Sequence, residues 1–333
     1  MNEALKTAAV AVIVVNWNAG EHLERCLRSI YSQTMRPRRV ILVDNASSDG
    51  SADGVEAGFP GIQIVRLTYN AGFAVANNIA ARMAADCEWI ALLNPDAFAE
   101  PDWLERLITA ARDNPGFSFF GSRTLNAANP RLLDGAGDVY HISGAVWRRG
   151  YGLSVDVFDP PTEEVFAPCA AAAMYKTADF LAVGGFDESH FCYLEDIDIA
   201  FRLRLSGGRC LYVRESTALH VGSGATSRHS DFAVYHGHRN LVWTFFKNMP
   251  APFFLLYLPL HLLANIASVV FFVLQGQGRV TLKAKFDAIK GLPEILRRRK
   301  EVQQMRIASA KELRRVMAGG FFTPFLASRR RKK

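Results

Sequence analysis

The sequence predicts an α/β fold in which a mainly parallel sheet carries helices on both faces. Short runs of apolar, often β-branched residues recur through the first part of the chain, and stretches with helical spacing of apolar residues separate them. Two of these runs, at 40–44 and 89–96, end on an aspartate. Regular alternation of strand and helix is typical of a parallel sheet, whose strand ends share one edge.

The first element is the apolar run 9–15, which predicts a strand, and the apolar spacing over 20–34 predicts its crossover helix. The alternation then continues with strands at 39–43, 62–67 and 88–94, and with helices at 72–85 and 102–113. From 117 to 165 the pattern breaks into short Gly-rich and Arg-rich pieces, which predict loops and antiparallel strands on the acceptor side. A helix beginning near Glu195 and a strand at 210–213 follow.

The composition favours a folded protein with a reducing environment. Half of the 333 residues are apolar, enough for a large core, which excludes a disordered chain. Five cysteines lack C-x-x-C spacing and are odd in number, so a disulfide framework is not expected. The N-terminal segment shows no signal-peptide pattern, and we expect the body to stay in the cytoplasm.

Basic charge is concentrated at the C-terminal end of the chain. Residues 276–333 contain 17 Lys and Arg against 4 Asp and Glu, a net charge of +13, whereas residues 1–275 contain 22 against 28. This distribution indicates an anionic surface as the partner of the tail, and a small-molecule or metal site in the body. Nothing in the pattern indicates nucleic acid as a partner, and the sequence assigns no oligomeric state.

An uncharged interval, 248–278, precedes the tail, and its segment 251–274 is long enough to cross a membrane, which takes roughly 20 apolar residues. Pro259 interrupts this segment, and a single crossing would place the basic tail outside, against the positive-inside tendency. We therefore expect a re-entrant or in-plane pair of helices around Pro259, with body and tail on the cytoplasmic face of the membrane. The alternative is a buried helix pair with a solvated tail.

Two polar segments follow strands of the predicted sheet. Asp44 ends a buried strand, so its carboxylate can accept a hydrogen bond from a pyrimidine N–H. The segment 44–50 is also typical of Asx turns and helix N-caps, and for Asp49 the binding and capping interpretations stay open. Asn94-Pro95-Asp96 follows another strand, where it suits either a hard divalent cation or an ordinary turn.

The ordered segments 14–18, 44–51, 70–73, 94–96 and 195–198 together resemble the family 2 inverting glycosyltransferases with the Rossmann-like GT-A fold. The resemblance covers about residues 9–245, and Asn94-Pro95-Asp96 is similar to the rhamnosyltransferase branch. It implies a domain at 1–245, with a nucleotide-binding half at 1–115 and an acceptor or catalytic half at 116–245. An apolar membrane-associated helical segment would occupy 246–278, and a basic amphipathic helical tail 279–333.

The resemblance assigns the donor side of the site. It implies nucleotide contacts from Asn16, Asn18, Asp44, Asn45, Asn70, Gly72, Asn77 and Asn94. Asp96 corresponds to the last aspartate of the D-x-D motif that binds Mg²⁺ or Mn²⁺, and His220 to a second metal ligand in some members. Because Asn94 replaces the first acid of that motif, we expect metal affinity to depend on the bound nucleotide. A lone histidine such as His220 is otherwise more often a hydrogen-bonded structural residue.

The acidic segment 195–198 supplies the predicted general base. Ile197 and two later apolar residues share a helix face, which leaves Asp196 free to face the cleft. The resemblance makes Asp196 the base that accepts the acceptor's hydroxyl proton. Asp198 is explained as the i,i+4 partner of an arginine, whereas the roles of Glu195 and of Arg239 stay open.

The predicted activity is inverting transfer of L-rhamnose from dTDP-rhamnose to a hydroxyl of a lipid-linked or polysaccharide acceptor in cell-envelope glycan synthesis. The alternatives are a family 2 transferase that uses UDP-hexose or UDP-galactofuranose, and an inactive membrane-attached nucleotide-sugar-binding protein. A nucleotidyltransferase would carry a basic Gly-rich loop after its first strand, and a dinucleotide oxidoreductase would carry G-x-G-x-x-G there. The segment 16–20 has neither pattern.

Overall fold

The computed structural model describes residues 7–222, 230–320 and 323. Its helices are α1 Glu21–Tyr31, α2 Val55–Gly58, α3 Gly72–Met83, α4 Trp103–Asp113, α5 Thr177–Ala182, α6 Glu195–Leu205, α7 Asp231–Asn248, α8 Ala251–Leu274, α9 Gly278–Gln304 and α10 Ala310–Val316, with a 3₁₀ turn at Glu188–His190. Its strands are β1 Thr7–Asn16, β2 Arg36–Asp44, β3 Gln63–Arg66, β4 Trp89–Leu93, β5 Ala97–Ala99, β6 Phe119–Asn126, β7 Leu133–Gly135, β8 Asp138–Tyr140, β9 Val146–Arg148, β10 Glu163–Val165, β11 Ala172–Lys176 and β12 Cys210–His220.

Within the described residues, one sheet runs in the order β10-β12-β6-β11-β4-β1-β2-β3, with β5 on β12 and β7 on β6. The neighbours β4, β1, β2 and β3 are parallel, whereas β11 lies antiparallel between β4 and β6. β6 therefore runs in the same direction as β4, and β12 is parallel to β6. The strands β8 and β9 form a separate antiparallel pair.

Helices cover both faces of this sheet, as the sequence predicts. Alternate residues of β1 point to opposite faces. Val12 packs in a core with α1 and α4, and Ile13 packs in a core with α3, α5 and α6. Fully burying one such aliphatic side chain contributes about 1.5–3 kcal/mol, so the two layers hold the central strands firmly. The predicted α/β architecture with short antiparallel strands after residue 117 is confirmed.

The strand directions bring the polar strand ends together. Asp44 is the last residue of β2 and pairs in register with Asn16, the last residue of β1. Asp96 follows β4 by a short turn, and His220 is the last residue of β12. Since all four strands point the same way, these residues lie at the carboxyl edge of the sheet, where open α/β sheets bind ligands.

The predicted pair of helices around Pro259 is wrong. α8 continues through Pro259 as one helix, the single described helix long and apolar enough to span a membrane by length and composition. Packing beside the proline stabilises it: the His261 ring stacks on Phe245 with centroids 3.9 Å apart, and His261 Nδ1 lies 2.8 Å from the Ser143 carbonyl oxygen. His261 is the buried residue of α8, whose other side is exposed, so the expectation of a buried pair also fails.

α9 returns along α7 and is attached to it. Tyr235 Oη donates to Asp287 Oδ2 at 2.7 Å, and Trp243 Nε1 donates to the Ala288 carbonyl oxygen at 3.0 Å. The alternative of a merely solvated tail therefore does not hold for α9, which is a packed helix over this length. The basic residues 329–333 lie outside the described residues. The boundary predicted at 245 falls inside α7, and the division into functional units stays a prediction.

Candidate functional site

A cavity of about 650 Å³ opens at the carboxyl edge of the sheet. Its volume lies within the range of roughly 300–1,000 Å³ that is usual for small-molecule sites. Eight residues singled out in the sequence line it: Asn45, Asn70, Gly72, Asn94, Asp96, Glu195, Asp196 and His220. Residues from the end of β4, from the start of α6 and from the end of β12 thus face one space, although they are far apart in the sequence.

The other residues of the predicted set are not among those that line this cavity: Asn16, Asn18, Asp44, Asp49, Asn77, Asp198 and Arg239. The Asn16 side-chain amide donates to Asp44 Oδ1 at 3.2 Å and to Ser47 Oγ at 2.9 Å, so it ties the end of β1 to the loop after β2. Asn18 Oδ1 accepts from the Ser48 N–H at 2.8 Å. Contact of these side chains with a nucleotide stays a prediction, whereas their bonds shape the loop that faces the cavity.

Asp49 and Asn77 have local structural partners. Asp49 Oδ2 accepts from the Gly20 N–H at 2.8 Å, and Oδ1 accepts from the Ser51 N–H at 3.0 Å. Burial acts to raise the pKa of Asp49, but these two hydrogen bonds and one from the Ser51 hydroxyl outweigh it, and the pKa is lowered. Asn77 donates to the Phe73 carbonyl oxygen at 2.9 Å within α3. The bonds of Asp49 form an Asx turn with Ser51 and tie the loop to Gly20, but Asp49 is not the N-cap of α1 or α2, so the binding interpretation stays open beside this structural one.

Asn45, Asn70 and Gly72 form one connected corner of the cavity. Asn45 Nδ2 donates to Asn70 Oδ1 at 2.9 Å, and Asn45 Oδ1 accepts from the Ala71 N–H at 2.8 Å. Gly72 has φ +87°, and a Cβ placed there would lie 2.6 Å from the Phe191 ring. Only glycine therefore fits between the start of α3 and the segment at Phe191.

Asp96 and His220 lie side by side, with His220 Nε2 3.4 Å from Asp96 Oδ1. The other ring nitrogen, Nδ1, lies 2.7 Å from Asp134 Oδ2, and Asp134 also accepts from Arg148 Nη1 at 2.5 Å. Burial lowers the pKa of His220, but its bonds with Asp134 and Asp96 outweigh that effect, and the pKa is raised. Asp134 is a site residue that the sequence analysis missed.

The Asp96–His220 pair fits a divalent cation. Two ligand atoms in adjacent octahedral positions about 2.1 Å from an ion lie about 3 Å apart, close to the observed separation. A carboxylate bonded to the remote ring nitrogen, as Asp134 is to His220, is the usual partner of a metal-binding histidine and fixes its tautomer. Imidazole with carboxylate suits Mn²⁺, and a carboxylate with neutral oxygens suits Mg²⁺.

A second group of possible ligands, Asp138, Cys169 and Asp196, presents atoms within 4.8 Å of one another. Burial raises the pKa of the Cys169 thiol to about 12, so the thiolate that metals bind is scarce at neutral pH. Arg148 already lies among these acids. Burial acts to lower the pKa of its guanidinium, but the nearby Cys169, Asp134, Asp138 and Asp196 outweigh burial, and the pKa is raised. These three residues therefore suit the guanidinium of Arg148 as their partner better than a metal ion.

Asp196 lies at the N-terminus of α6, inside the cavity. Its Oδ1 accepts from the Ile197 N–H at 2.8 Å, and its Oδ2 accepts from the Ala170 N–H at 3.4 Å. Burial raises the pKa of Asp196 even though these bonds act against it. The neighbouring Glu195 has its pKa raised by burial and by the charge of Asp196, and its Oε2 has no hydrogen-bond partner. A carboxylate with a raised pKa is a stronger proton acceptor than one in water.

Asp198 has the structural role expected of it, and more partners than the sequence indicated. Arg202 Nε donates to Asp198 Oδ2 at 2.8 Å, and Lys247 Nζ lies 2.7 Å from Asp198 Oδ1. Lys247 also contacts Asp187, so one buried cation of α7 joins α6 to the segment before it. Burial opposes ionisation, but Lys247 and Arg202 lower the pKa of Asp198 to about 2.

The segment directly before Asp196 is strained. Phe191, Tyr193 and Leu194 all have positive φ, between 64° and 66°, a backbone conformation that residues other than glycine rarely adopt. Asn240 of α7 holds this segment: its Nδ2 lies 3.0, 2.9 and 2.8 Å from the carbonyl oxygens of His190, Cys192 and Tyr193. Backbone strain of this kind persists only where neighbours enforce it, and it is concentrated at functional sites.

Arg239, left open by the sequence, belongs to the same support. Its Nη2 donates to the Ser189 and His190 carbonyl oxygens at 3.0 and 3.1 Å, and its guanidinium lies 4.3 Å from the Trp243 ring centroid. Arg239 therefore stabilises this segment through its backbone and does not line the cavity. The sequence left the role of Arg239 open, because a bond to the carbonyl oxygen of a distant residue leaves no local pattern.

Comparisons with known proteins agree with this geometry. Residues 11–176 match the family model "Glycosyl transferase family 2". The chain is 29% identical over 258 residues to N-acetylglucosaminyl-diphospho-decaprenol L-rhamnosyltransferase of Mycobacterium tuberculosis, covering 69% of this chain and 82% of the relative. It is 29% identical to rhamnosyltransferase WbbL of Escherichia coli, covering 45% of this chain and 60% of that relative.

Among solved structures, the fold is similar to the mannosyltransferase PcManGT from Pyrobaculum calidifontis in complex with GDP-Man and Mn²⁺. The TM-score is 0.51 at 17% sequence identity, with 89% of this chain and 85% of that chain covered. At 17% sequence identity, this similarity supports a shared fold and nothing about substrate.

Proposed function

Since this chain carries a glycosyl transferase family 2 domain, we propose that it transfers L-rhamnose from dTDP-rhamnose to a hydroxyl of a lipid-linked glycan. The observation that carries the proposal is the shared cavity, in which the Asp96–His220 pair and Asp196 face the same space. The acceptor class follows the M. tuberculosis relative, whose name specifies an N-acetylglucosaminyl-diphospho-decaprenol.

We assign the donor to the corner formed by Asn45, Asn70 and Gly72, and its diphosphate to the Asp96–His220 pair. A divalent cation held by Asp96 and His220, Mg²⁺ or Mn²⁺, would supply Lewis-acid stabilisation of the charge on the departing dTDP. Asp134 keeps the His220 ring oriented for that purpose through its contact with Nδ1. Asn94, which lines the same cavity, offers a neutral side-chain oxygen in place of a second acid.

Asp196 accepts the proton of the acceptor hydroxyl as that oxygen attacks the anomeric carbon. One displacement from the face opposite to dTDP inverts the configuration, and the chain needs no covalent intermediate. The ordering of Asp196 by the Ile197 N–H fixes one carboxylate oxygen and leaves the other, weakly bonded to Ala170, to face the hydroxyl. Arg148, close to Asp134 and lining the cavity, adds a fixed positive charge beside the reacting groups.

We also propose that the protein binds the cytoplasmic face of the membrane, with α8 lying in the plane of the surface. Contacts fix α8 along its length: Arg314 Nε of α10 lies 3.2 Å from Tyr257 Oη, His261 Nδ1 lies 2.8 Å from the Ser143 carbonyl oxygen, and Gln277 Nε2, just after the helix, donates to Asp231 Oδ1 at 3.2 Å. Leu255, Leu262 and others of α8 remain exposed. A helix attached along one side and apolar along the other suits insertion into one leaflet.

Exposed basic residues lie beside this apolar surface. On α9, Leu282, Phe286 and Ile289 are exposed next to Arg279, Lys283 and Lys290. Each basic residue near an anionic surface contributes about 1 kcal/mol. The combination supports binding to vesicles that contain phosphatidylglycerol.

Flotation with phosphatidylglycerol and phosphatidylcholine vesicles tests the membrane proposal. We expect a variant with asparagine at Leu255, Leu262 and Ile266 to lose binding without unfolding, because these side chains are 74%, 50% and 61% exposed. Val157→Asn, at a residue 78% exposed on the body, is the matched control. Equal flotation of the triple variant and the control would exclude α8 as the contact.

A donor panel tests the activity itself. The protein is incubated with dTDP-rhamnose, UDP-glucose or UDP-galactofuranose, together with N-acetylglucosaminyl-diphospho-decaprenol and Mg²⁺ or Mn²⁺. We expect dTDP release and a rhamnosylated lipid. Selective turnover of a UDP-sugar would overturn the donor assignment, pyrophosphate release would indicate nucleotidyl transfer, and donor binding without turnover would indicate an inactive binding protein.

A further inference from the structure

We propose that the isoprenoid chain of a polyprenyl-diphosphate acceptor leaves the cavity across Gly237 of α7 and continues onto the exposed apolar side of α8. This inference rests on the proposed transfer to a lipid-linked acceptor, and it specifies which wall of the cavity receives the lipid. The part of the wall in question, called the lipid rim here, consists of Phe232, Val234, Gly237, Leu241 and Phe272.

The lipid rim is part of the same cavity as the reacting groups. Its first four members belong to α7 and the last to α8, and all line the cavity that Asp96 and Asp196 also line. An acceptor whose hydroxyl reaches Asp196 therefore has a continuous space in which its remaining part can extend towards α7 and α8. The apolar character of the rim matches a hydrocarbon chain better than a hydrated polysaccharide.

The rim continues without interruption onto the surface proposed to bind membrane. Phe272 is half-buried, with its ring centroid 4.6 Å from that of His238 on α7. Its neighbours Phe271 and Leu274 are 57% and 78% exposed. An apolar chain that follows the rim passes the His238 ring, which lies against Phe272, to reach the exposed apolar side of α8, and from there the leaflet.

Gly237 makes the opening at this rim. It lies in the middle of α7, where glycine costs a helix roughly 1 kcal/mol relative to alanine. Neither strain nor crowding explains it: its φ is not positive, and a Cβ built there meets nothing within 4 Å. The space above Gly237 belongs to the cavity, so the missing side chain widens the passage between α7 and Phe272.

Gly237→Leu tests the proposal, because the new Cβ would meet nothing within 4 Å and the side chain would extend from the wall of the passage. Transfer is measured in one detergent with two acceptors, N-acetylglucosaminyl-diphospho-decaprenol and the same diphosphate capped by a propyl group. We expect KM for the decaprenyl acceptor to rise at least about tenfold, a factor that marks 1.4 kcal/mol of lost binding. KM for the propyl acceptor should stay near its wild-type value.

Gly58→Leu is the matched control, since Gly58 is also a helical glycine whose Cβ would meet nothing within 4 Å, and it does not line the cavity. Phe271→Gln provides a second variant on the lipid path that leaves the opening intact, and it should raise KM for the decaprenyl acceptor only. An unchanged KM in both variants, or an equal rise for both acceptors, would overturn the proposal. If the wild-type protein transfers to neither acceptor, the proposed function fails instead.

Discussion

Replacing Asn240 by alanine should slow transfer much more than it weakens nucleotide binding. The side chain bonds three carbonyl oxygens of the strained segment before Asp196, and its amide has two N–H groups, so at least two hydrogen bonds disappear. At a net contribution of about 0.5–1.5 kcal/mol each, the segment loses about 1–3 kcal/mol of restraint. Left-handed residues cost roughly 1–2 kcal/mol each, so the released segment relaxes towards ordinary backbone angles.

Relaxation of this segment moves Asp196, which lies two residues after Leu194 in the first turn of α6. If the lost restraint appears fully in the transition state, kcat falls roughly 5- to 150-fold, since each 1.36 kcal/mol is a factor of ten. The assay is release of dTDP at saturating donor and acceptor, with dTDP affinity measured in parallel. Asn114→Ala is the control, because Asn114 donates one comparable bond, 2.9 Å to the Ala110 carbonyl oxygen, at the end of α4. A kcat equal to that of the control would refute the reasoning.

Three further predictions concern charge. Asp96→Asn should raise the Mn²⁺ concentration for half-maximal activity by about tenfold or more, because one of two side-chain ligands loses its charge; an unchanged Mn²⁺ titration would contradict the metal assignment. Because burial raises the pKa of Asp196 and only its deprotonated form accepts a proton, kcat should fall as the pH drops through that raised pKa; a pH–rate profile with an acid limb at the ordinary aspartate value would argue against this base. Lys247→Met should destabilise the fold at neutral pH, as measured by urea unfolding, by up to about 3–5 kcal/mol, because it removes the buried cation that Asp187 and Asp198 share and leaves them with Arg298 and Arg202. In the wild-type protein, the stability that comes from the lowered pKa of Asp198 is complete above the pKa that this aspartate has in the unfolded chain, and it is lost as the pH falls through about 2. A Lys247→Met variant with the same unfolding free energy as the wild-type protein would exclude Lys247 as the partner of Asp198.

The sequence was sufficient for the elements whose signal is local. Buried strands such as Trp89–Leu93 are continuous apolar runs, and their polar ends follow directly, so the carboxyl edge and the placement of Asp96 could be predicted. The i,i+4 pair of Asp198 and Arg202 follows from helix geometry alone. Asp196 could be placed in the cleft because the apolar side of α6 fixes the orientation of the helix.

Residues that act through tertiary contacts could not be predicted in this way. Asp134 lies in a three-residue strand whose partner is set by the sheet, and Arg148 lies in another such strand. Nothing about Asn240 in the sequence indicates that it reaches the carbonyl oxygens of 190–193. The left-handed backbone of the segment before Asp196 is equally hidden, because Phe, Tyr and Leu are not residues that favour it.

One expectation failed because packing outweighed a local rule. Proline usually ends or kinks a helix, but α8 continues through Pro259 because contacts of the next turn, at His261, hold it against the body. The strand-end side chains of Asn16 and Asp44 bond each other, because buried polar groups need hydrogen-bond partners, and their contact with a nucleotide stays a prediction.

The most direct measurement compares the wild-type protein with Asp196→Asn for transfer of labelled rhamnose from dTDP-rhamnose to the decaprenyl acceptor, with dTDP and Mn²⁺ affinities determined on the same samples. General-base catalysis predicts a loss of about 10²–10⁴-fold in transfer while both affinities stay nearly unchanged. Turnover close to the wild-type rate would contradict the claim that this cavity joins the donor site to its base.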